Sequence, residues 1–247
     1  MQETSEETYS PNEPLSLGAE LRSIAISSVG IVFNTSAFLQ DEMELASWRR
    51  VFLSILFGST LSFLISFLGY LIFEIWMRLR IGYMFNVRWL DLAVGFGIRI
   101  PVVIIRQLAG AYLSYRWVAK HEPEAEYVAH TQSLVMALLP QTFVLSLLVT
   151  IVELLATMSD NPAVFWINAD SIALYTVIIG GLEVVVIVYF YWLLSRVFFL
   201  LYPAATRKVR WVGLAITIFA YLLIGLLTQL PVIINVIYNL FPQPPGF

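Results

Sequence analysis

Five stretches of this chain, about residues 51–76, 89–117, 133–157, 172–194 and 211–238, stay apolar long enough to cross a membrane. A hydrocarbon core of about 30 Å needs about 20 such residues at about 1.5 Å of rise each. No other feature constrains the fold as tightly. A backbone in lipid must satisfy its own hydrogen bonds, which leaves only helices or a closed barrel. The sequence has neither the period-two alternation of a membrane barrel nor a fixed-period repeat. The expected fold class is an all-α integral membrane protein, built as a five-helix transmembrane bundle. Composition agrees. Only 13% of the 247 residues are charged and 59% are hydrophobic, with a mean hydropathy of +0.80. A soluble domain carries about 25% charged residues, so this chain lacks the polar surface of a water-soluble globule. Trp76, Trp89, Trp117, Trp192 and Trp211 fall at or near segment ends, where an interfacial aromatic belt would put them.

The remaining segments divide the chain further. Residues 1–14 hold four Glu, two Pro and no Lys or Arg, and read as an acidic disordered tail rather than a signal peptide with its basic start. Residues 15–47 are expected to form an interfacial amphipathic segment. The run from Ile24 to Leu39 is short for a span and is diluted by Ser27, Ser28, Asn34, Thr35 and Ser36. Leu39, Met43 and Ala46 then recur at helical spacing among acidic residues. Residues 48–240 form the membrane domain and 241–247 a short C-terminal tail. With the N-terminus inside, Arg22, Arg49, Arg50, Arg116, Lys120, Arg196, Arg207, Lys208 and Arg210 all fall on the inner side. Laying the second segment flat in the interface gives nearly as good a count, but Leu92 to Leu113 is too apolar to lie there. The expected location is a bacterial cytoplasmic membrane.

Four charged residues lie well inside the spans: Arg99, Arg106, Glu153 and Glu183. A lone charge at mid-bilayer costs about 2.5–3.5 kcal/mol on the insertion scale, so such groups seek partners or water. Arg99 and Arg106 are two turns apart and share a face with Gly110 and Ser114. Depth suggests pairing Arg106 with Glu183 and Arg99 with Glu153. Such pairs either lock the bundle or line a pathway. Ser54, Gly58, Ser62 and Ser66 recur every four residues and form an expected helix-packing ladder, since small residues let helix backbones approach. Thr142, Ser146 and Thr150 make a similar stripe in the third segment, as do Gly213, Thr217 and Tyr221 in the fifth. Pro101, Pro140 and Pro231 mark candidate kinks.

The same counts narrow the chemistry. Without Cys there is no thiolate metal site, iron–sulfur cluster or thiol nucleophile. The two histidines, His121 and His130, fall in a polar stretch with Glu122, Glu124 and Glu126, which reads as a solvated linker in preference to a cation site. No hydrolase, zinc-protease or phosphate-loop motif occurs, so no catalytic residue, cofactor or metal is expected. Net charge is −3 and the basic residues are scattered, which is no footprint for nucleic acid.

The stretch IVFNTSAFLQDEMELASWRRVFLSILFGSTLSFLISFL resembles the opening of bacterial members of the YIP (Ypt-interacting protein) family. In those proteins a short interfacial helix and a tryptophan precede the first span. HTQSLVMALLPQTFVLSLL is similar to the family's middle helix, and ALYTVIIGGLEVVVIVYFYWLL with the basic loop around Arg207 is similar to its closing helical pair. The likeness covers about residues 30–237, while the acidic-Leu-Tyr-Gly-Pro motif of the eukaryotic members is absent. The resemblance implies five spans, a cytosolic N-terminus and a non-enzymatic role in organising membranes or binding partners. The expected partners are the lipid bilayer and a membrane protein or a second copy of the chain. A small transporter or channel using the Arg/Glu constellation is the alternative, and an accessory subunit of a larger complex is a third.

Overall fold

The computed structural model describes residues 16–81, 89–158 and 169–240; the acidic stretch 1–14 and the tail 241–247 lie outside them. Among the described residues the chain is helical, with no strand. Three helices are long and apolar enough to cross a membrane among the described residues, over Trp48–Leu79, Tyr127–Ile151 and Gly180–Leu201.

Seven helices follow in order among the described residues. The first two, α1 (Leu17–Phe33) and α2 (Thr35–Glu44), form a hairpin. Ser16 caps α1 by accepting from the Ala19 N–H at 3.3 Å, which satisfies one of the orphan donors at a helix start. Asn34 breaks the helix at φ −138° and ψ 73°, and Thr35 Oγ1 ties the turn down by donating to the Ile31 carbonyl at 3.0 Å. At Gly30 a Cβ would collide with the Phe38 ring, so the glycine sets how closely α2 folds back on α1. Next come α3 (Trp48–Ile81), α4 (Trp89–Val118), α5 (Tyr127–Met158), α6 (Ala169–Leu201) and α7 (Arg207–Leu240). The apolar segments read from the sequence fall within these five. The helices overrun the apolar runs, and α5 begins six residues before Ser133, taking in His130 and Gln132.

The middle of the fold is α5. Its most extensive contact is with α3, and it also packs on α6, α4 and both helices of the hairpin; α4 packs mainly against α7. Residues 131–140 of α5 are buried without interruption, so this stretch has no outward face. The core around it joins Ile24, Ile31 and Leu39 of the hairpin to Leu134, Met136 and Leu139 of α5 and to Val197 and Phe198 of α6. Outward residues of the long helices are large and apolar, among them Leu68, Ile105, Val185 and Phe219. That is the inverse of a soluble bundle and matches lipid as the solvent.

The start of α3, the end of α4, the start of α5, the end of α6 and the start of α7 gather at one end. Trp48 and Tyr127 meet edge-on at 5.2 Å, His130 bonds Tyr202, and Trp117 Nε1 donates to the Val209 carbonyl at 3.2 Å. Nine of the 14 Lys and Arg residues belong to this basic end.

Candidate functional site

Two buried polar clusters fix the basic end. In the first, Arg50 Nε donates to Glu42 Oε2 at 2.8 Å, and Nη2 reaches Glu42 Oε1 and, at 3.1 Å, Ser23 Oγ. Gln132 Nε2 donates to the same Glu42 oxygen at 2.7 Å and sits 3.4 Å from Ser54 Oγ. Glu42 is 0% exposed and Arg50 2%. One carboxylate thus gathers α2, α3 and α5, and the arginine adds α1. Arg49 and Glu20 bridge α3 to α1 beside it at 2.9 Å. In the sequence Glu42 is one of the acidic residues of the interfacial segment 15–47, and Arg50 stands just before the first apolar run. A signal was present: Glu42 falls in register with Leu39, Met43 and Ala46, and Arg50 stands four residues before Ser54 at the head of the small-residue ladder.

The second cluster corrects the placing of His130 in a solvated linker. It lies in the first turn of α5, 1% exposed, because that helix starts earlier than its apolar run. Nε2 is 2.8 Å from Ser114 Oγ and Nδ1 is 2.6 Å from Tyr202 Oη. Ser114 Oγ already donates to the Gly110 and Ala111 carbonyls, so it accepts from Nε2–H, and Nδ1 accepts from the phenol. One neutral tautomer satisfies every link. Burial pushes the Tyr202 phenol up, keeping it a donor. His121 remains exposed on the loop. Among the described residues no group of three or more His, Cys, Asp or Glu is placed to hold a metal.

The third feature is a cavity of about 710 Å³ between α4, α5, α6 and α7. Its polar lining is Arg106, Gln107, Gln141, Thr142, Tyr191 and Tyr221, and the rest is aliphatic. Arg106 is eight residues before Ser114, ~12 Å along α4 from the His130 level, and so lies deep within the bundle. Its guanidinium carbon is 5.3 Å from the centroid of the Tyr221 ring, a cation–π contact worth about 0.5–2 kcal/mol. Nε of Arg106 and Oε1 of Gln107, a residue 4% exposed, are buried without a hydrogen-bond partner among the described residues. Gly110, one turn on, lets Tyr221 approach; a Cβ there would sit 3.0 Å from the ring.

Of the four embedded charges, Arg106 alone has a described side chain; those of Arg99, Glu153 and Glu183 lie outside the described residues. The small-residue ladder lies along α5 in part. Ser54 meets Gln132, Gly58 lies against Leu139 and Thr142, and Ser62 bonds Ser146. Ser66 is exposed and bonds back to the Ser62 carbonyl at 3.1 Å. Gly69 replaces it in the seam, where a Cβ would collide with Thr150.

Helices of this length and apolarity define an all-helical protein of the membrane class. Comparison with protein-family models, with curated proteins and with solved structures finds no match for this chain.

Proposed function

We propose that the chain is a non-enzymatic, five-span membrane protein that works by binding, and that its binding site is the Arg106 cavity. The site suits the acidic head of an amphiphile, a phosphate or a carboxylate carried on acyl chain. The observation that carries this reading is a guanidinium deep among apolar helices whose Nε, like the neighbouring Gln107 amide oxygen, has no hydrogen-bond partner among the described residues, beside a large cavity. An anion would take up charge that otherwise costs about 2.5–3.5 kcal/mol, with the aliphatic lining left for the chain. The resemblance to the YIP family supports the same class, a membrane-organising or partner-binding protein. The basic residues at one end support a cytoplasmic placement of that end in a bacterial inner membrane.

A stability assay on purified protein in a neutral detergent tests it. Oleate and phosphatidylglycerol should raise the melting temperature by several degrees, phosphatidylcholine should not, and Arg106→Gln should abolish the gain. An equal gain in Arg106→Gln, or no gain with either acidic probe, overturns the reading. Transport is the second reading, favoured because Ile187 of the cavity wall lies one turn from Glu183. Uptake of labelled oleate into protein-containing vesicles that is lost in Glu183→Gln would select it; binding without uptake selects the first.

A further inference from the structure

The α1–α2 hairpin sits at a depth that the sequence does not announce. Its base is level with the basic end, since Glu42 is held by Arg50 and by Gln132 near the start of α5. Its tip is level with the middle of α6, because Tyr189 Oη donates to the Val32 carbonyl at 2.9 Å. Tyr189 lies inside the apolar segment 172–194 of α6, ~18 Å along the helix from Leu201. A helical side chain leans towards its own N-terminus, which for α6 is away from the basic end, so the phenol does not reach back to a shallow partner. The hairpin's own length agrees. From Glu42 back to Asn34 is ~12 Å of helix, about half of a core of about 30 Å.

Its outward face is graded along the same axis. Near the base it presents Arg22, Asp41 and Glu44. Towards the tip it presents Ile26, Val29 and Phe33, the last 85% exposed, and the exposed polar pair at the turn is internally bonded, Ser36 Oγ donating to Asn34 Oδ1 at 3.3 Å. The turn at the tip keeps its backbone bonded, Asn34 N–H to the Gly30 carbonyl at 2.7 Å and Thr35 Oγ1 to Ile31, as non-helical chain at membrane depth requires.

We infer that α1 and α2 form a re-entrant hairpin that enters the leaflet at the basic end, turns at Asn34 near the bilayer midplane and leaves on the same side. The face Ile26–Val29–Phe33 contacts the acyl chains of that leaflet, and the Glu42–Arg50–Gln132 cluster holds the hairpin against the bundle. This goes beyond the binding reading and does not depend on it. It gives one leaflet the cross-section of two helices that the other leaflet does not receive.

The absence of cysteine makes the test direct. Single variants Glu44→Cys, Phe33→Cys and Ala37→Cys, all at exposed positions, are reconstituted in phosphatidylcholine vesicles and treated with a charged maleimide. Glu44→Cys should label from the side of the basic end. Phe33→Cys and Ala37→Cys should label at least tenfold more slowly from either side, until detergent dissolves the bilayer. With bimane attached in detergent before reconstitution, spin-labelled lipid carrying its nitroxide deep in the acyl chain should quench Phe33→Cys more than a shallow one, with the reverse order at Glu44→Cys. Labelling of Phe33→Cys as fast as Glu44→Cys, or stronger quenching of it by the shallow probe, would show a hairpin lying on the surface and overturn the inference. Labelling of Phe33→Cys from the opposite side would show a spanning segment and overturn it equally.

Discussion

Glu42 and Arg50 are removed from solvent together, and the cost of doing so is offset only while both are present. Each group desolvated alone costs several kcal/mol. Here two charge-assisted contacts between them, with Gln132 and Ser23 added, satisfy most of what burial strips away. Glu42→Leu or Arg50→Met alone should therefore destabilise by about 3–5 kcal/mol, whereas the double variant should recover most of that loss. Thermal unfolding in detergent reads this as a large drop in melting temperature for each single variant and a smaller one for the pair; additive losses would contradict the coupling. The sequence holds both residues in helical register with apolar or small neighbours, but register alone does not say that Glu42 and Arg50 face each other. The link at Leu45–Ser47 folds α2 back towards α3, and that path brings them together.

At the scale of helices, α3 and α5 are joined by a seam whose spacing drifts. Residues four apart advance by about 40° around a helix, so a strict i, i+4 ladder leaves the contact within about three steps. Ser54, Gly58 and Ser62 stay in the seam; Ser66 has rotated out, and Gly69, seven residues after Ser62, returns within about 20°. Gly69→Leu should cost about 1–3 kcal/mol through overpacking against Thr150, while Ser66→Leu, on the lipid side, should leave the melting temperature nearly unchanged. Equal effects would mean the seam lies elsewhere. The small-residue pattern was legible in the sequence because close helix approach demands it. Where the pattern stops depends on which helix lies opposite, and one helix's sequence does not hold that.

For the molecule as a whole, α3, α4, α5, α6 and α7 alternate in direction, so the α2–α3, α4–α5 and α6–α7 links share one end. Cysteines at the exposed positions Ser47, Lys120 and Ala204 should therefore all label with an impermeant maleimide from the same face of a membrane. Lys120→Cys labelling from the face opposite to Ser47→Cys would mean that α4 lies in the interface. The contacts Trp48–Tyr127, Trp117–Val209 and His130–Tyr202 support the shared end. The charge count left the same choice nearly tied, because Arg78, Arg80 and Arg88 between α3 and α4 offset part of the bias.

The sequence by itself determined the solvent and the element type. Long uncharged apolar runs belong in lipid, and lipid admits helices because they close their own hydrogen bonds. It also located Arg106, since a charge inside an apolar run stands out in one dimension. The tertiary structure alone decided which polar residues count as interior. His130, Gln132, Glu42 and Arg50 look like boundary residues, because near the ends of apolar runs hydropathy cannot separate a solvated side chain from a paired one. Glu42, Arg50 and Gln132 are buried because the α1–α2 hairpin folds back over the start of α5 and supplies part of the pairing, and His130 because α4 and the end of α6 close on it. That is a property of the packing between helices, and no window along the chain contains it.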